Sequence, residues 1–205
     1  PAMLVEMAEA LTRSAGLREL HLNATIDAKG AELLATGLEA HAQRHGATLE
    51  LLDLRFSRIG AAGNAATDAL GAALLNLRVT DLDLAFCDLK AWRGALASYL
   101  LSDRSLRALE LRFNRLRGGG VKALFGALER HPTLTRLGVR KNWLASGAPA
   151  AFRALPLIGA PLRELDLRNN LFEARGVRAL VTALSGMAFG EAAVAAALGD
   201  EGGGG

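Results

Sequence analysis

Six segments of the chain share one spacing of apolar residues. Aliphatic residues, mostly leucine, recur in the order L-x-x-L-x-L, and the segments begin at Leu17, Leu49, Val79, Leu106, Leu134 and Leu162. Successive starts are 32, 30, 27, 28 and 28 residues apart. The end of each segment alternates apolar and polar residues, which is the period-two pattern of a short strand with one apolar face. The pattern therefore predicts six strands in six successive repeats.

A small residue follows the last leucine of each segment by three positions in every repeat. These residues are Thr25, Ser57, Cys87, Asn114, Asn142 and Asn170. We expect each to lie where the chain turns inward, with its side chain satisfying backbone groups that would otherwise be buried unpaired. Thr25 and Ser57 can do this only in part, and Ile26 arrives one residue early in the first repeat. The first two turns are therefore predicted to be less regular.

The second half of each repeat has helical spacing. Residues 120–128 place Val121, Leu124, Ala127 and Leu128 on one face, and residues 175–184 repeat the scheme. Looser copies are predicted at residues 27–38, 61–75, 89–101 and 145–155, and a further helix at residues 4–15. We expect the small Ala and Gly residues near the helix starts to let neighbouring helices lie close together.

The combined unit resembles the ribonuclease-inhibitor-like class of leucine-rich repeats. It reads L-x-x-L-x-L-x-x-N-x-L followed by G-(A/V)-x-x-L-x-x-A-L, and residues 106–128 and 162–184 are its clearest copies. The resemblance covers residues 17–186 and implies an α/β solenoid: a curved arc of about six repeats, with a parallel sheet on the concave face and helices on the convex face. Residues 1–16 are predicted to be an N-terminal capping helix or a truncated repeat. Residues 187–205 are predicted to be a short C-terminal helix and a Gly-rich tail.

Such an arc exposes three rows of residues between its inward-facing leucines. The first row is mostly acidic: His21, Asp53, Asp83, Glu110, Gly138 and Asp166. The second is mostly basic: Asn23, Arg55, Ala85, Arg112, Arg140 and Arg168. The third reads Ala24, Phe56, Phe86, Phe113, Lys141 and Asn169.

The three rows allow two interpretations. In one, acids and bases neutralise each other through diagonal pairs and the phenylalanines pack on adjoining loops. In the other, the face binds a protein, because aromatic residues and Arg are enriched in binding hot spots. We predict the second, with these protein-binding residues: Phe56, Phe86, Phe113, Arg55, Arg112, Arg140, Arg168, Asp53, Asp83, Glu110 and Asp166.

Composition narrows the classes of partner. The net charge of +3 is too small to indicate a nucleic-acid or membrane partner, and acids beside the arginine row would repel phosphates. No apolar stretch is long enough for a membrane helix, and the start of the chain lacks a signal-peptide pattern. The single cysteine, Cys87, favours a reducing compartment. We therefore expect a cytoplasmic protein that binds another protein and needs no cofactor.

Few residues offer catalytic or metal-binding chemistry. His41 and His45 form half a zinc site without a third ligand, and we expect both to be solvated at a helix C-terminus. Residues 118–120 are interpreted as a strand-to-helix turn rather than a phosphate loop, and Cys87 as a buried, unreactive turn residue. Trp92 and Trp143 are expected to pack on the convex side. The sequence thus predicts no catalytic, cofactor-binding or metal-binding residue.

The predicted function is a non-enzymatic protein–protein interaction scaffold. The Ala-, Gly- and Arg-rich composition resembles ciliary and axonemal repeat proteins, and this implies a structural subunit of a large complex in the cilium. The alternative is a regulator of a small GTPase, similar to the Ran GTPase-activating proteins, although the chain has no long acidic tail. A third class, the repeat domain of a nucleotide-sensing receptor, requires an ATPase domain upstream.

Overall fold

Short strands alternate with helices along the whole described chain. The computed structural model describes residues 2–90, 94–158 and 161–186, with side chains from residue 5 onward. The strands are β1 Glu19–His21, β2 Leu51–Asp53, β3 Asp81–Asp83, β4 Ala108–Glu110, β5 Arg136–Gly138 and β6 Glu164–Asp166. The helices are α1 Ala2–Arg13, α2 Ala28–His45, α3 Asn64–Leu74, α4 Ala95–Ser102, α5 Arg117–Ala127, α6 Ala148–Phe152 and α7 Ala174–Ser185.

The strands form one open parallel sheet in sequence order, β1 to β6. The register is constant, so the middle leucines of adjacent strands are direct partners, as Leu52 is with Leu82. The α/β solenoid of about six repeats implied by the resemblance to leucine-rich repeats is therefore confirmed. We call the exposed side of this sheet, opposite the helices, the sheet face.

The core lies between the sheet and the helices, as the leucine pattern predicts. Leu54, Leu84 and Leu111 are completely buried, and so are the helix residues Leu74 and Leu124 that point toward them. Burying one such side chain stabilises the fold by about 1.5–3 kcal/mol. Each repeat contributes an equivalent slice of this core, so the sheet face is held on a continuous apolar base.

The inward-turn residues form a buried ladder between repeats. The amide of Asn114 donates to the carbonyl oxygens of Leu84 and Leu111, and its Oδ1 accepts from the backbone N–H groups of Cys87 and Leu89. Asn142 and Asn170 make comparable bonds. The predicted role of the asparagines, which is to pair buried backbone groups, is thus observed in three repeats.

The earlier turns depart from the asparagine pattern in the way the sequence indicates. Cys87 is buried, its thiol lies 3.3 Å from the Ser57 hydroxyl, and it contacts the carbonyl oxygen of Leu54 at 3.1 Å. Thr25 is exposed, whereas Ile26 is buried and its N–H bonds to the carbonyl oxygen of Ser57 at 2.8 Å. The missing residue in the first repeat therefore moves Ile26 into the core and leaves Thr25 outside.

Glycines set the spacing between helices. A Cβ on Gly118 would lie 2.4 Å from the Cα of Gly147, and one on Gly71 would lie 2.5 Å from the backbone of Ala95. Only glycine fits such close approaches, which confirms the role expected for small residues near the helix starts. Residues 118–120 lie in the first turn of α5 rather than in a separate turn before it, which corrects their predicted place.

Several helices differ in extent from their sequence patterns. Helix α4 begins at Ala95 rather than at residue 89, and α3 begins at Asn64 rather than at residue 61. Helix α2 continues to His45, past the predicted end at residue 38, because α1 covers its second half. In the fifth repeat, helix α6 spans only five residues and is flanked by 3-10 helices at Ala145–Gly147 and Leu155–Ile158. Pro156 lies within the second of these, where its missing N–H cannot support a regular α-helix.

Helix α1 packs against α2 through both polar and apolar contacts. Leu11 is buried in the core, and the Cα of Ala8 lies 2.8 Å from the position that a Cβ on Gly37 would take. His41 is buried, its Nδ1 donates to the carbonyl oxygen of Leu11 at 3.1 Å, and its Nε2 lies 2.9 Å from the Thr48 hydroxyl. The expectation that His41 is solvated is therefore wrong, since it ties α1 to α2.

Candidate protein-binding surface

The sheet face carries the three rows of side chains that the sequence predicts. The parallel register makes His21, Asp53, Asp83, Glu110, Gly138 and Asp166 direct neighbours in the acidic row. Adjacent strands are about 4.8 Å apart, so every residue in a row can contact the next. The predicted site residues of the first two rows are thus brought together on one surface.

Two carboxylates of the acidic row are firmly paired with arginines. The Arg55 guanidinium approaches Asp53 to 2.6 Å, and His21 Nδ1 lies 3.1 Å from the same carboxylate. Burial raises the pKa of Asp53, but the hydrogen bonds from Arg55 and His21 outweigh this effect and lower it to about 2. Arg168 pairs with Asp166 at 2.7 Å and lowers its pKa against the effect of burial. These two arginine pairs form within a repeat, whereas Arg55 also approaches Asp83 of the next repeat to 3.4 Å, which is a diagonal contact of the kind that the first interpretation supposes.

The two central carboxylates, Asp83 and Glu110, have longer contacts with arginine than Asp53 and Asp166 have. Asp83 has Ala85 in the position where other repeats have arginine, and its nearest guanidinium atom among the described residues is Arg55 Nε at 3.4 Å. Glu110 accepts from the backbone N–H of Arg112 at 2.8 Å, but the guanidinium of Arg112 stays 3.3 Å away. Burial raises the pKa of both carboxyls, and repulsion within the acidic row adds to the effect.

The three phenylalanines stack on one another rather than on adjoining loops. The ring centroids of Phe56 and Phe86 are 4.5 Å apart, and those of Phe86 and Phe113 are 4.1 Å apart, with interplanar angles of 23° and 16°. Phe56 is 46% exposed and the other two are half-buried. We call this stack the phenylalanine ladder. It presents a continuous row of aromatic edges at the border of the sheet face.

A lysine caps one end of the phenylalanine ladder. Lys141 Nζ lies 4.8 Å from the ring centroid of Phe113, which is a cation–π contact. At the other end the equivalent residue is Ala24, so no long side chain of the row covers Phe56. Arg140 binds the side-chain oxygen of Asn169 at 2.9 Å, because Gly138 supplies no carboxylate in that repeat. Sequence reasoning assigned no role to Lys141, although its place in the third row indicates one.

Sequence reasoning also missed an ion pair that crosses a strand. Arg136 on β5 reaches over Ala108 on β4 and binds Asp81 on β3 at 2.7 Å. The three residues are in register in the first strand position, so the small side chain of Ala108 leaves the path open. The row itself was available from the sequence, but the span of two strands follows only from the position of the Arg136 side chain.

The other candidate residues offer no reactive site. Burial raises the pKa of the Cys87 thiol to about 11, which makes it a poor nucleophile and agrees with the predicted unreactive role. Trp143 is 45% exposed in the turn after Asn142, with the Arg115 guanidinium 5.9 Å from its ring, so it does not pack on the convex side. Trp92 and the predicted C-terminal helix and tail lie outside the described residues.

Metal and membrane sites were sought within the described residues. No group of three or more His, Cys, Asp or Glu side chains there is arranged to hold a metal ion. His45 is half-buried and bonds to the carbonyl oxygen of Thr12 at 2.9 Å, which corrects the expectation that it is solvated; its ring centroid lies 5.3 Å from that of His41. None of the helices in that part of the chain has the length and apolar character needed to cross a membrane.

Comparison with known proteins agrees with the repeat architecture. A family model described as leucine-rich repeat matches residues 102–125, which hold strand β4, the turn at Asn114 and most of α5. No curated protein matches the chain significantly. Together with the six structural repeats, the family match identifies the fold as an α/β leucine-rich repeat solenoid. Domains of this kind generally mediate protein–protein interaction.

Proposed function

We propose that this chain is a non-enzymatic binding module whose sheet face, with the phenylalanine ladder at its border, grips another protein. The observation that carries the proposal is the ladder itself: three stacked aromatic rings, one of them 46% exposed, beside ordered rows of arginines and carboxylates. Aromatic rings and arginines are the residue types that dominate protein-binding hot spots.

The backbone of the ladder supports a binding role over a purely structural one. Phe56, Phe86 and Phe113 all have left-handed backbone conformations, with φ of 63°, 57° and 60°. This conformation costs about 1–2 kcal/mol for each non-glycine residue. Each stacked pair returns about 0.5–1.5 kcal/mol beyond the burial of its apolar surface. The equivalent residues Lys141 and Asn169 share the conformation, with φ of 53° and 57°, so the turn itself does not require phenylalanine.

Replacement of the ladder tests the proposal. The variant Phe56→Ser, Phe86→Ser, Phe113→Ser should keep its circular dichroism spectrum and lose the protein that the unchanged chain captures in stoichiometric amount from native extract. The matched control replaces three exposed aliphatic residues on the helix side, Leu75 at the end of α3 and Val177 and Val181 in α7, with serine and should keep the partner. Capture that survives in the ladder variant would place binding on another surface.

The sequence supports a more specific proposal for the repeat subclass and for the location of the protein. Repeats of 27–32 residues that each join a strand to a helical segment support the ribonuclease-inhibitor-like subclass, and the composition supports a fixed place in a cytoplasmic, ciliary or axonemal assembly. Localisation of the tagged full-length protein in ciliated cells tests this placement. If neither the unchanged protein nor the ladder variant captures a partner, acceleration of GTP hydrolysis by small GTPases becomes the function to assay.

A further inference from the structure

The sheet face has a depression over its central strands. A cavity of about 460 Å³ lies on this face, and the small residues Ala108 on β4 and Gly138 on β5 lie on its floor. The carboxylates of Asp83 and Glu110 stand beside this floor. The depression is therefore a place where a partner's side chain can approach the sheet closely.

The charge around the depression is unbalanced. Six carboxylates and four guanidinium groups line the cavity, which leaves two negative charges in excess apart from His21. The excess is not spread evenly, because Asp53 and Asp166 have guanidinium nitrogens at 2.6–2.7 Å. Asp83 and Glu110 have theirs at 3.4 and 3.3 Å, beyond the usual range for strong charge-assisted bonds. Part of the excess negative charge therefore lies at the centre of the face, where Asp83 and Glu110 have only these longer contacts. The rest lies at Glu164 on β6, for which the described residues provide no guanidinium within 4.0 Å.

The geometry of the floor also favours a flat cation. Glu110 leans across β5, since a Cβ on Gly138 would lie 2.5 Å from its Oε1, so its carboxylate occupies the space above the glycine. One guanidinium already crosses this floor: Arg136 passes over Ala108 to reach Asp81 at 2.7 Å. The sheet therefore already accommodates one extended arginine side chain above the small residue Ala108, beside the Glu110 carboxylate.

We propose that the depression between Asp83 and Glu110 receives an arginine side chain of the bound protein. This inference rests on the proposed function, because it assigns a chemical identity to the centre of the partner's contact. A guanidinium has several N–H groups in one plane and can donate to both carboxylates at once. Adjacent strands about 4.8 Å apart place the two acids within its reach. The partner's arginine supplies the cation that Ala85 does not.

A small-molecule probe tests this pocket without the partner. Argininamide is titrated into the protein, and the side-chain carboxyl carbons are followed by NMR. The matched ligand is citrullinamide, which has nearly the same shape but no charge on its side chain. We expect argininamide to shift the carboxyl signals of Asp83 and Glu110 along a saturating curve, with citrullinamide at least about tenfold weaker. Equal effects of the two ligands, or no saturating shift at these carboxyls, would overturn the proposal.

Two variants make the assignment specific. Glu110→Gln and Asp83→Asn should each weaken argininamide binding about tenfold, because each removes one charged acceptor. Glu129→Gln, at an exposed glutamate in the turn after α5, makes the same change in net charge elsewhere and should have no effect. Unchanged binding by Glu110→Gln would show only non-specific attraction.

Failure of this proposal and failure of the proposed function give different results. If capture of the partner depends on the phenylalanine ladder while argininamide does not bind, the protein-binding role stands and the arginine pocket is wrong. If argininamide binds between the two acids while capture of the partner does not depend on the phenylalanine ladder, the arginine pocket is supported. The partner then contacts a different surface from the proposed one.

Discussion

Neighbouring acids of one row differ in how closely an arginine approaches their carboxylates. Asp53 has Arg55 two residues later and is strongly paired, whereas Asp83 has Ala85 in that place. A half-buried carboxylate without a close cation is less stable when ionised than one that is paired. The sheet face is therefore a regular array with a local defect at its centre, and the defect has energetic consequences that can be measured residue by residue.

Acids whose pKa is lowered on folding and acids whose pKa is raised should affect stability in opposite directions. The folded-state pKa of Asp53 is below its unfolded value, so its contribution to stability is present above about pH 4 and is lost as the pH falls through about 2. Asp53→Asn should therefore lower the free energy of unfolding at pH 7 by about 1–2 kcal/mol. It should also flatten the loss of stability in acid, which urea denaturation at pH 7 and pH 3 can measure.

Glu110 is the internal comparison for that experiment. Its pKa is raised in the folded protein, so ionisation at neutral pH opposes folding and the opposition disappears as the pH falls. Glu110→Gln should leave the stability at pH 7 unchanged or increase it. A loss as large as that of Asp53→Asn would show that the partial bonds from Arg112 hold Glu110 more firmly than its geometry indicates.

Close packing of helices is the feature that fixes the elements relative to one another. Gly118 and Gly147 bring the starts of successive helical segments into backbone contact, and nothing lies within 4 Å of a Cβ placed on Gly119. The adjacent Gly118 and Gly119 therefore have different roles. Gly118, which faces the next repeat, is required by packing, whereas Gly119 lowers the intrinsic stability of the helix.

Two single alanines separate these roles. Gly118→Ala should reduce the free energy of unfolding by about 1–3 kcal/mol, because the added methyl meets the backbone of Gly147. Gly119→Ala should be neutral or stabilise by about 0.5–1 kcal/mol, because it enters open space in a helix. Urea denaturation measures both. Equal effects of the two substitutions would mean that the repeats move apart to accept the methyl group without loss of stability.

The sequence predicted the features that depend on local residue spacing. It did not predict the side-chain contacts that depend on a neighbouring helix or strand. The leucine spacing places every strand and the row to which each site residue belongs, because one register extends through the sheet. The burial of His41 depends on α1. Helix α1 follows no strand segment of the leucine pattern, so the sequence does not predict which surface it packs against. The stacking of Phe86 on its neighbours likewise follows from side-chain positions across strands.

At the scale of the whole molecule, contacts join each repeat mainly to the next. Among the described residues the strands pair only in sequence order, and the long helices pack on their immediate neighbours. In such a solenoid, stability is close to a sum of repeat and interface contributions, so damage at one end stays near that end. The sheet face in the central repeats is therefore insulated from changes at the N-terminal helix.

A pair of substitutions in α1 measures how far local destabilisation spreads along the repeats. Leu11→Ala removes a buried side chain that joins α1 to α2 and should destabilise that contact by about 2–5 kcal/mol. Val5→Ala shortens an aliphatic residue that is 42% exposed in the same helix and should have little effect. Native-state hydrogen exchange should show lost protection in α1 and α2 of the Leu11 variant, with α7 unchanged. An even loss along all the helices would mean that the chain unfolds as one cooperative unit.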